Sequence, residues 1–277
     1  SFKVTVDAVT GDLAFYRVPV HDPLADAIEA AYGGLVRPMS EMPGELRAHL
    51  RYPRVLLALP TDVLRLYHQE TARAFHGGQD VWTIPRELAV NENEVEYEPE
   101  YGVYRLPWED EARFQLTTVF VPQGRENLTA MIIARTDDRG VPELTLLDIP
   151  VGDQVSGPRQ VESFVEQDPD ISEQFSLWRT SGSQVWTGHL HLIPVGKRIV
   201  YMEPVYLAAE ADAIPELRRF VVSDGRRVVM TQSLDESVAA LAGSTLRQGS
   251  TSSPPPGVRP PDAAADPAAP DSGGTQA

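Results

Sequence analysis

The sequence contains no cysteine. Disulfides, thiol nucleophiles and Cys-ligated zinc are thereby excluded, while the redox compartment stays open. Long hydrophobic runs are missing too. No uninterrupted apolar stretch is longer than Val55 to Leu59, far short of the roughly 20 residues that cross a bilayer. Positive charge is scarce: Lys+Arg total 24 against 40 for Asp+Glu, a formal net charge of −16. A field of that sign repels phosphate backbones and anionic lipid surfaces, so no nucleic-acid partner is expected. There is no GxSxG elbow, no HExxH and no EF-hand loop. Gly196-Lys197 lacks the upstream Gly of a phosphate loop, and Arg198 stands where the Ser or Thr should be. Nothing in the residues implies a cofactor.

What is there suffices for a folded body. The chain has 277 residues, of which 42% are hydrophobic and 23% charged, enough for one large domain or two small ones. From Gly249 to Ala277 it is Gly, Ser, Thr, Pro, Ala and a few Asp, with Val258 as the one larger apolar side chain. Such a segment buries too little surface to offset its conformational entropy, and a disordered tail is expected. Residue 1 is Ser and no basic-then-apolar leader follows, so the chain reads as a processed or excised piece.

The body opens with alternating Phe2, Val4 and Val6, then Thr10-Gly11-Asp12, then Leu13, Phe15 and Arg17. That pattern predicts a hairpin. Asp22-Pro23 starts a helix that Gly33-Gly34 ends, and a second helix is expected from about Thr61 to Phe75. From Tyr101 the texture turns to strands: Val103 to Leu106, Phe114 to Val121, Leu128 to Ala134 and Leu144 to Ile149. Val161 to Val165 fits strand or helix. Asp170 to Trp178 reads as a short helix. Val185 to Val195 with Ile199 to Leu207 forms a long hairpin about Gly196-Lys197, and Leu217 to Val222 with Arg226 to Met230 another about Asp224-Gly225. A capping box, Ser233-Leu234-Asp235-Glu236, opens a last helix ending at Gly243. Strands and helices mix without regular βαβ alternation. The expected fold is α+β, a largely antiparallel sheet meander with flanking helices. The expected divisions are 1–90, an acidic linker at 91–100, a sheet region at 101–248 and the tail at 249–277.

Three sets of residues could carry chemistry. His189 and His191 lie two apart on a predicted strand and face one side. A three-residue hairpin loop would put Glu203 opposite His189, giving two imidazoles and a carboxylate for a divalent metal; the other reading is a solvated polar face. Glu92, Glu94, Glu96, Glu98 and Glu100 alternate, which suits a hard cation on a strand or a solvated linker in a loop. Asp168 and Glu203 each precede a proline among apolar residues. They are candidate catalytic carboxylates, or groups satisfied by backbone N–H. Trp82, Trp178 and Trp186 read as core or sheet packing.

Several motifs go further. They are Glu45-Leu46-Arg47-Ala48-His49-Leu50-Arg51-Tyr52-Pro53, Asp80-Val81-Trp82-Thr83-Ile84-Pro85-Arg86-Glu87, Gly157-Pro158-Arg159-Gln160-Val161-Glu162, Gln167-Asp168-Pro169-Asp170-Ile171-Ser172 and Tyr201-Met202-Glu203-Pro204-Val205-Tyr206-Leu207, with Ile193-Pro194-Val195 between. In this order, from about Lys3 to Leu241, the chain resembles the uncharacterised protein family numbered 0182, large bacterial multi-pass membrane proteins. The resemblance is to the soluble C-terminal region. It implies an extracytoplasmic domain at the cell membrane, whose own N-terminal transmembrane region lies outside this chain and whose partners are that region, an envelope component or another protein. It carries over no activity and no catalytic residue, and the positions of His189 and His191 are usually not His in the family pattern. Three functions stay open: binding or assembly in the cell envelope, a carboxylate-dependent hydrolase or transferase acting on an envelope polymer, and a cation-binding module.

Overall fold

The alternating N-terminal residues form the first hairpin, β1 (Phe2–Val6) with β2 (Leu13–Arg17). Asp22 then caps α1 (Pro23–Ala31) by accepting from the Ala25 N–H at 3.2 Å. β3 (Val36–Pro38) returns parallel to β2 and completes a three-stranded sheet. This computed structural model describes residues 2–78, 80–88, 94–150, 152–209 and 214–250, with side chains to 243. The segment read as a tail therefore lies almost wholly outside the described residues.

A 3-10 turn (Met39–Glu41) and the single-turn α2 (Gly44–Arg47) lead to α3 (Arg54–Tyr67) and α4 (Ala72–Gly77). The sequence suggests one helix here, from Thr61 to Phe75. The structure has two, because the Thr71 side chain accepts from the Ala74 N–H and caps a new start. α3 in turn begins a full two turns earlier, on the apolar run Val55 to Leu59, and carries Pro60 inside it.

Next come β4 (Trp82–Thr83), β5 (Arg86–Leu88), β6 (Glu94–Glu96), β7 (Glu100–Tyr104), β8 (Arg113–Pro122), β9 (Ala130–Thr136) and β10 (Pro142–Asp148). β10-β9-β8-β4 form one antiparallel sheet with β7 also on β8, and β5 pairs with β6. β8 is covered on both faces: every residue from Gln115 to Val121 is buried, the polar Gln115, Thr117 and Thr118 included. Leu116 and Phe120 join Tyr52, Leu57, Trp82 and Ile132 in one core. Val119 joins Tyr97, Leu128, Met131, Ile133 and Val161 in another. The first core crosses the expected division near residue 90. The stretch read as a linker is part of the fold where it is described: Glu94 to Glu96 is β6, and Tyr97 is buried.

α5 (Pro158–Gln167) and α6 (Pro169–Thr180) follow, then β11 (Gln184–Thr187), β12 (His191–Val195), β13 (Arg198–Ala208), β14 (Glu216–Ser223), β15 (Val228–Thr231) and α7 (Leu234–Ser250). They build a second antiparallel sheet, β11-β13-β14-β15, with β12 also on β13. α7 packs on β14 and β15 and runs past Gly243. α5 lies beside β5, and α6 beside β11. The architecture is α+β, as the sequence indicates. No described helix is long and apolar enough to cross a membrane.

Candidate functional site

α5 places Pro158, Val161, Glu162 and Val165 on its inner side, the i, i+3, i+4, i+7 stripe of an amphipathic helix. One member of that stripe is a carboxylate. Glu162 is 3% exposed. Its Oε1 accepts the Leu88 N–H at 2.7 Å, tying α5 to β5. Its Oε2 is buried with no hydrogen-bond partner among the described residues, and Arg159 Nη1 stands 3.6 Å away. Burial pushes the Glu162 carboxyl up to about 7. The Leu88 N–H and Arg159 pull the other way, while Glu87 and Glu166 add to the rise.

A second buried acid faces the same space. Along β13 the inward residues are Ile199, Tyr201, Glu203 and Val205. Glu203 is 2% exposed, and burial pushes it up to about 8. A hydrogen bond from Thr187 opposes the shift; Glu162, Glu87 and Glu166 reinforce it. Glu162 and Glu203 both line a cavity of about 570 Å³ between α5, α6, β11 and the end of β5. Phe175, Trp186 and Val185 give this cavity an apolar wall, and Ser172, Ser176, Glu166 and Arg179 a polar one. Because Glu162 Oε1 is engaged by an N–H, the proton of the neutral acid belongs on Oε2, the atom without a hydrogen bond. Near neutrality the cavity thus presents carboxyl groups that can change between donor and acceptor.

Beside it lies a buried imidazole–carboxylate pair. Glu87 on β5 is 7% exposed and meets His189 Nδ1 at 3.0 Å through Oε2. The His189 ring packs on Tyr97, centroids 4.5 Å apart, and edge-on to His191 at 5.1 Å. Burial lowers the pKa of His191, and His189 lowers it further. Burial and then Glu87 hold the Tyr97 hydroxyl well above its ordinary value.

The residues singled out from sequence are therefore regrouped. The hairpin turns on Gly196 and Lys197 alone, so Tyr201 pairs with Leu192 and Met202 with His191. This is one residue away from the register that would face Tyr201 to His191 and Glu203 to His189, and a slip of one reverses the faces. His191 and Glu203 consequently point to opposite sides. His189 sits in the break between β11 and β12, where the Gly188 N–H donates to the Pro204 carbonyl at 2.7 Å. Among the described residues no group of three or more His, Cys, Asp or Glu side chains is placed to hold a metal ion. Asp168 is the N-cap of α6, accepting from the Ile171 N–H at 3.1 Å. Three of the alternating acids go to arginines: Glu100 and Glu98 to Arg54, and Glu94 to Arg159 and Arg86. Glu92 lies outside the described residues. Sequence reasoning missed Glu162 and Glu87. For Glu162 the signal was present, a lone acid within the apolar stripe Val161–Val165.

Residues 1–178 match the family described as Uncharacterised protein family (UPF0182). Similar proteins include a UPF0182 protein of Pelotomaculum thermopropionicum, 37% identical over 241 residues, which cover 87% of this chain and 26% of that protein. Another from Synechocystis sp. is 37% identical over 243 residues, 87% of this chain and 23% of the relative. A third, from Cupriavidus necator, is 37% identical over 243 residues, 86% of this chain and 27% of the relative. The chain thus spans about a quarter of the length of these bacterial relatives. No solved structure matches it. The chain belongs to the uncharacterised protein family UPF0182.

Proposed function

We propose that this chain is an extracytoplasmic, ligand-binding domain of a multi-pass membrane protein, and that the cavity between α5, α6 and β11 is its binding site for a component of the cell envelope. The setting rests on the resemblance to a family of multi-pass membrane proteins; the chain covers about a quarter of its relatives' length, which leaves room in them for spans outside it. One observation carries the binding role. Glu162 lines the cavity, and its buried Oε2 has no hydrogen-bond partner among the described residues, only the ion-pair contact of Arg159 at 3.6 Å; leaving such a group without a hydrogen bond costs on the order of 1–3 kcal/mol. A bound ligand would supply the missing partner.

A second reading has its own observation. Two carboxyl groups with raised pKa in one cavity are also what acid–base hydrolysis or group transfer requires. Thermal-shift titration of the 277-residue chain with small envelope fragments (sugars, amino sugars, amino acids) separates the cases. Binding that disappears when Ser176→Trp fills the cavity supports the site, and no shift with any fragment at millimolar concentration overturns it. Conversion of a fragment, lost in Glu162→Gln, moves the conclusion to catalysis. The setting has its own test. In spheroplasts carrying the full-length protein with an epitope in the segment 251–277, external protease should remove the epitope; protection until lysis would overturn the extracytoplasmic placement.

A further inference from the structure

Resting on the cavity as a binding site, we propose that its ligand carries an organic ammonium group, seated between Glu162 and Glu203 against Trp186 and Phe175.

Three kinds of ligand can be weighed against the wall. Among the described residues that line the cavity, Glu162, Glu166 and Glu203 stand against the single guanidinium of Arg179. Arg159, outside the lining, stands 3.6 Å from Glu162 Oε2 and 3.5 Å from Glu166 Oε2. It is shared with Glu94 on β6 at 3.1 Å, so its charge is divided among three acids. From β5, Glu87 adds another carboxylate to the surroundings. With Glu162 and Glu203 ionised, an anionic ligand would increase the repulsion within this acidic group. A neutral one would leave it unchanged. A cation relieves it, most strongly beside the two buried carboxylates, Glu162 and Glu203.

The hydrogen-bond inventory points the same way. An ammonium has N–H donors and no acceptor. Glu162 Oε1 already accepts from Leu88, while Oε2 accepts no hydrogen bond among the described residues. With a cation in place, Oε2 releases its proton and accepts an N–H instead. The aromatic rings complete the match, because indole and phenyl faces attract ammonium groups. Trp186 and Phe175 line the cavity that holds the two acids.

Binding of this kind exchanges one cation for protons. Burial keeps Glu162 and Glu203 protonated to about 7 and about 8. The site must shed a proton to become a carboxylate partner, so affinity rises with pH through that window.

Three probes with one body and three charges test this: cyclohexylmethylamine, cyclohexylmethanol and cyclohexanecarboxylate. Each is titrated calorimetrically into the full 277-residue chain, in two buffers of different ionisation enthalpy. The amine should bind at least tenfold more tightly than the alcohol, the carboxylate should not bind, and the amine should release protons. Its affinity should rise about tenfold or more between roughly pH 6 and pH 8.5. Glu203→Gln, and separately Glu162→Gln, should weaken the amine at least tenfold while sparing the alcohol. The glutamine amides keep the shape, and unchanged circular dichroism shows that each variant is folded. An alcohol that binds as tightly as the amine, or an amine affinity that falls with rising pH, overturns the ammonium assignment and leaves the cavity a ligand site. Failure of all three probes to bind overturns both.

Discussion

The Tyr97 hydroxyl donates to the Leu190 carbonyl oxygen at 2.8 Å, joining the segment after β6 to the residue before β12. Tyr97 is 2% exposed, so the bond is shielded and its loss leaves a buried carbonyl unpaired. Tyr97→Phe should therefore cost about 1–3 kcal/mol. In a chain of this size that lowers the thermal midpoint by several degrees. A midpoint within a degree of the parent would show that Leu190 finds another donor.

The two buried carboxyls make stability depend on pH, with a definite sign. Both titrate higher in the folded state than the ordinary carboxylate, so the folded chain holds protons that the unfolded chain has lost. Stability is then greatest below about pH 4.5, as far as these groups decide it, and falls as pH rises through about 7 for Glu162 and about 8 for Glu203. Glu203→Gln removes one ionisable group without emptying the site. It should raise stability at pH 9 by several kcal/mol at most and change little at pH 5. Urea unfolding of both proteins at the two pH values checks this. Equal slopes with pH would show that Glu203 is not held protonated by burial.

How much of this was legible depends on whether a local rule governed it. The Asp22 and Thr10-Gly11-Asp12 signals gave the first hairpin and helix, because caps and turns are set by neighbours in sequence. The strands β8 to β10 and the Asp224-Gly225 hairpin were readable for the same reason. The His189–Glu203 pairing was not, since it hung on whether the Gly196 turn held two residues or three. The second helix failed at Thr71, where one hydroxyl ends a helical period that apolar spacing alone would continue. Glu162 and Glu87 come together from elements 74 or more residues apart from their partners Leu88 and His189. No local pattern records that meeting.

Asp168 offers a test between a folding role and a catalytic one. Its carboxylate caps α6 through the Ile171 N–H. Asp168→Ala should cost about 1 kcal/mol of stability, while Asp168→Ser, which keeps a capping oxygen, should recover most of it. Denaturant midpoints for the pair decide the matter. Equal losses in both variants would show that the charge, and not the cap, is what the position supplies.

Gly157 illustrates how tightly α5 is seated. A methyl group built there would come 2.0 Å from the Glu126 carbonyl oxygen, a backbone atom that cannot swing aside. The position has an ordinary φ of −83°, so glycine is required by space and not by conformation. Gly182 is the opposite case: φ is +86° and nothing lies within 4 Å. Gly182→Ala should then cost about 1 kcal/mol in backbone strain, and Gly157→Ala about 1–3 kcal/mol, toward the upper end because backbone must move. The two also differ in reach. Gly157 precedes the helix that carries Glu162, and its N–H is held by Gln160 Oε1 at 3.1 Å. Displacing it shifts α5 along the cavity and strains the Glu162–Leu88 hydrogen bond. Amide exchange at Leu88 should accelerate in Gly157→Ala more than its global stability loss explains, and should follow global stability alone in Gly182→Ala. Equal behaviour of Leu88 in the two variants would mean that α5 absorbs the methyl group without moving Glu162.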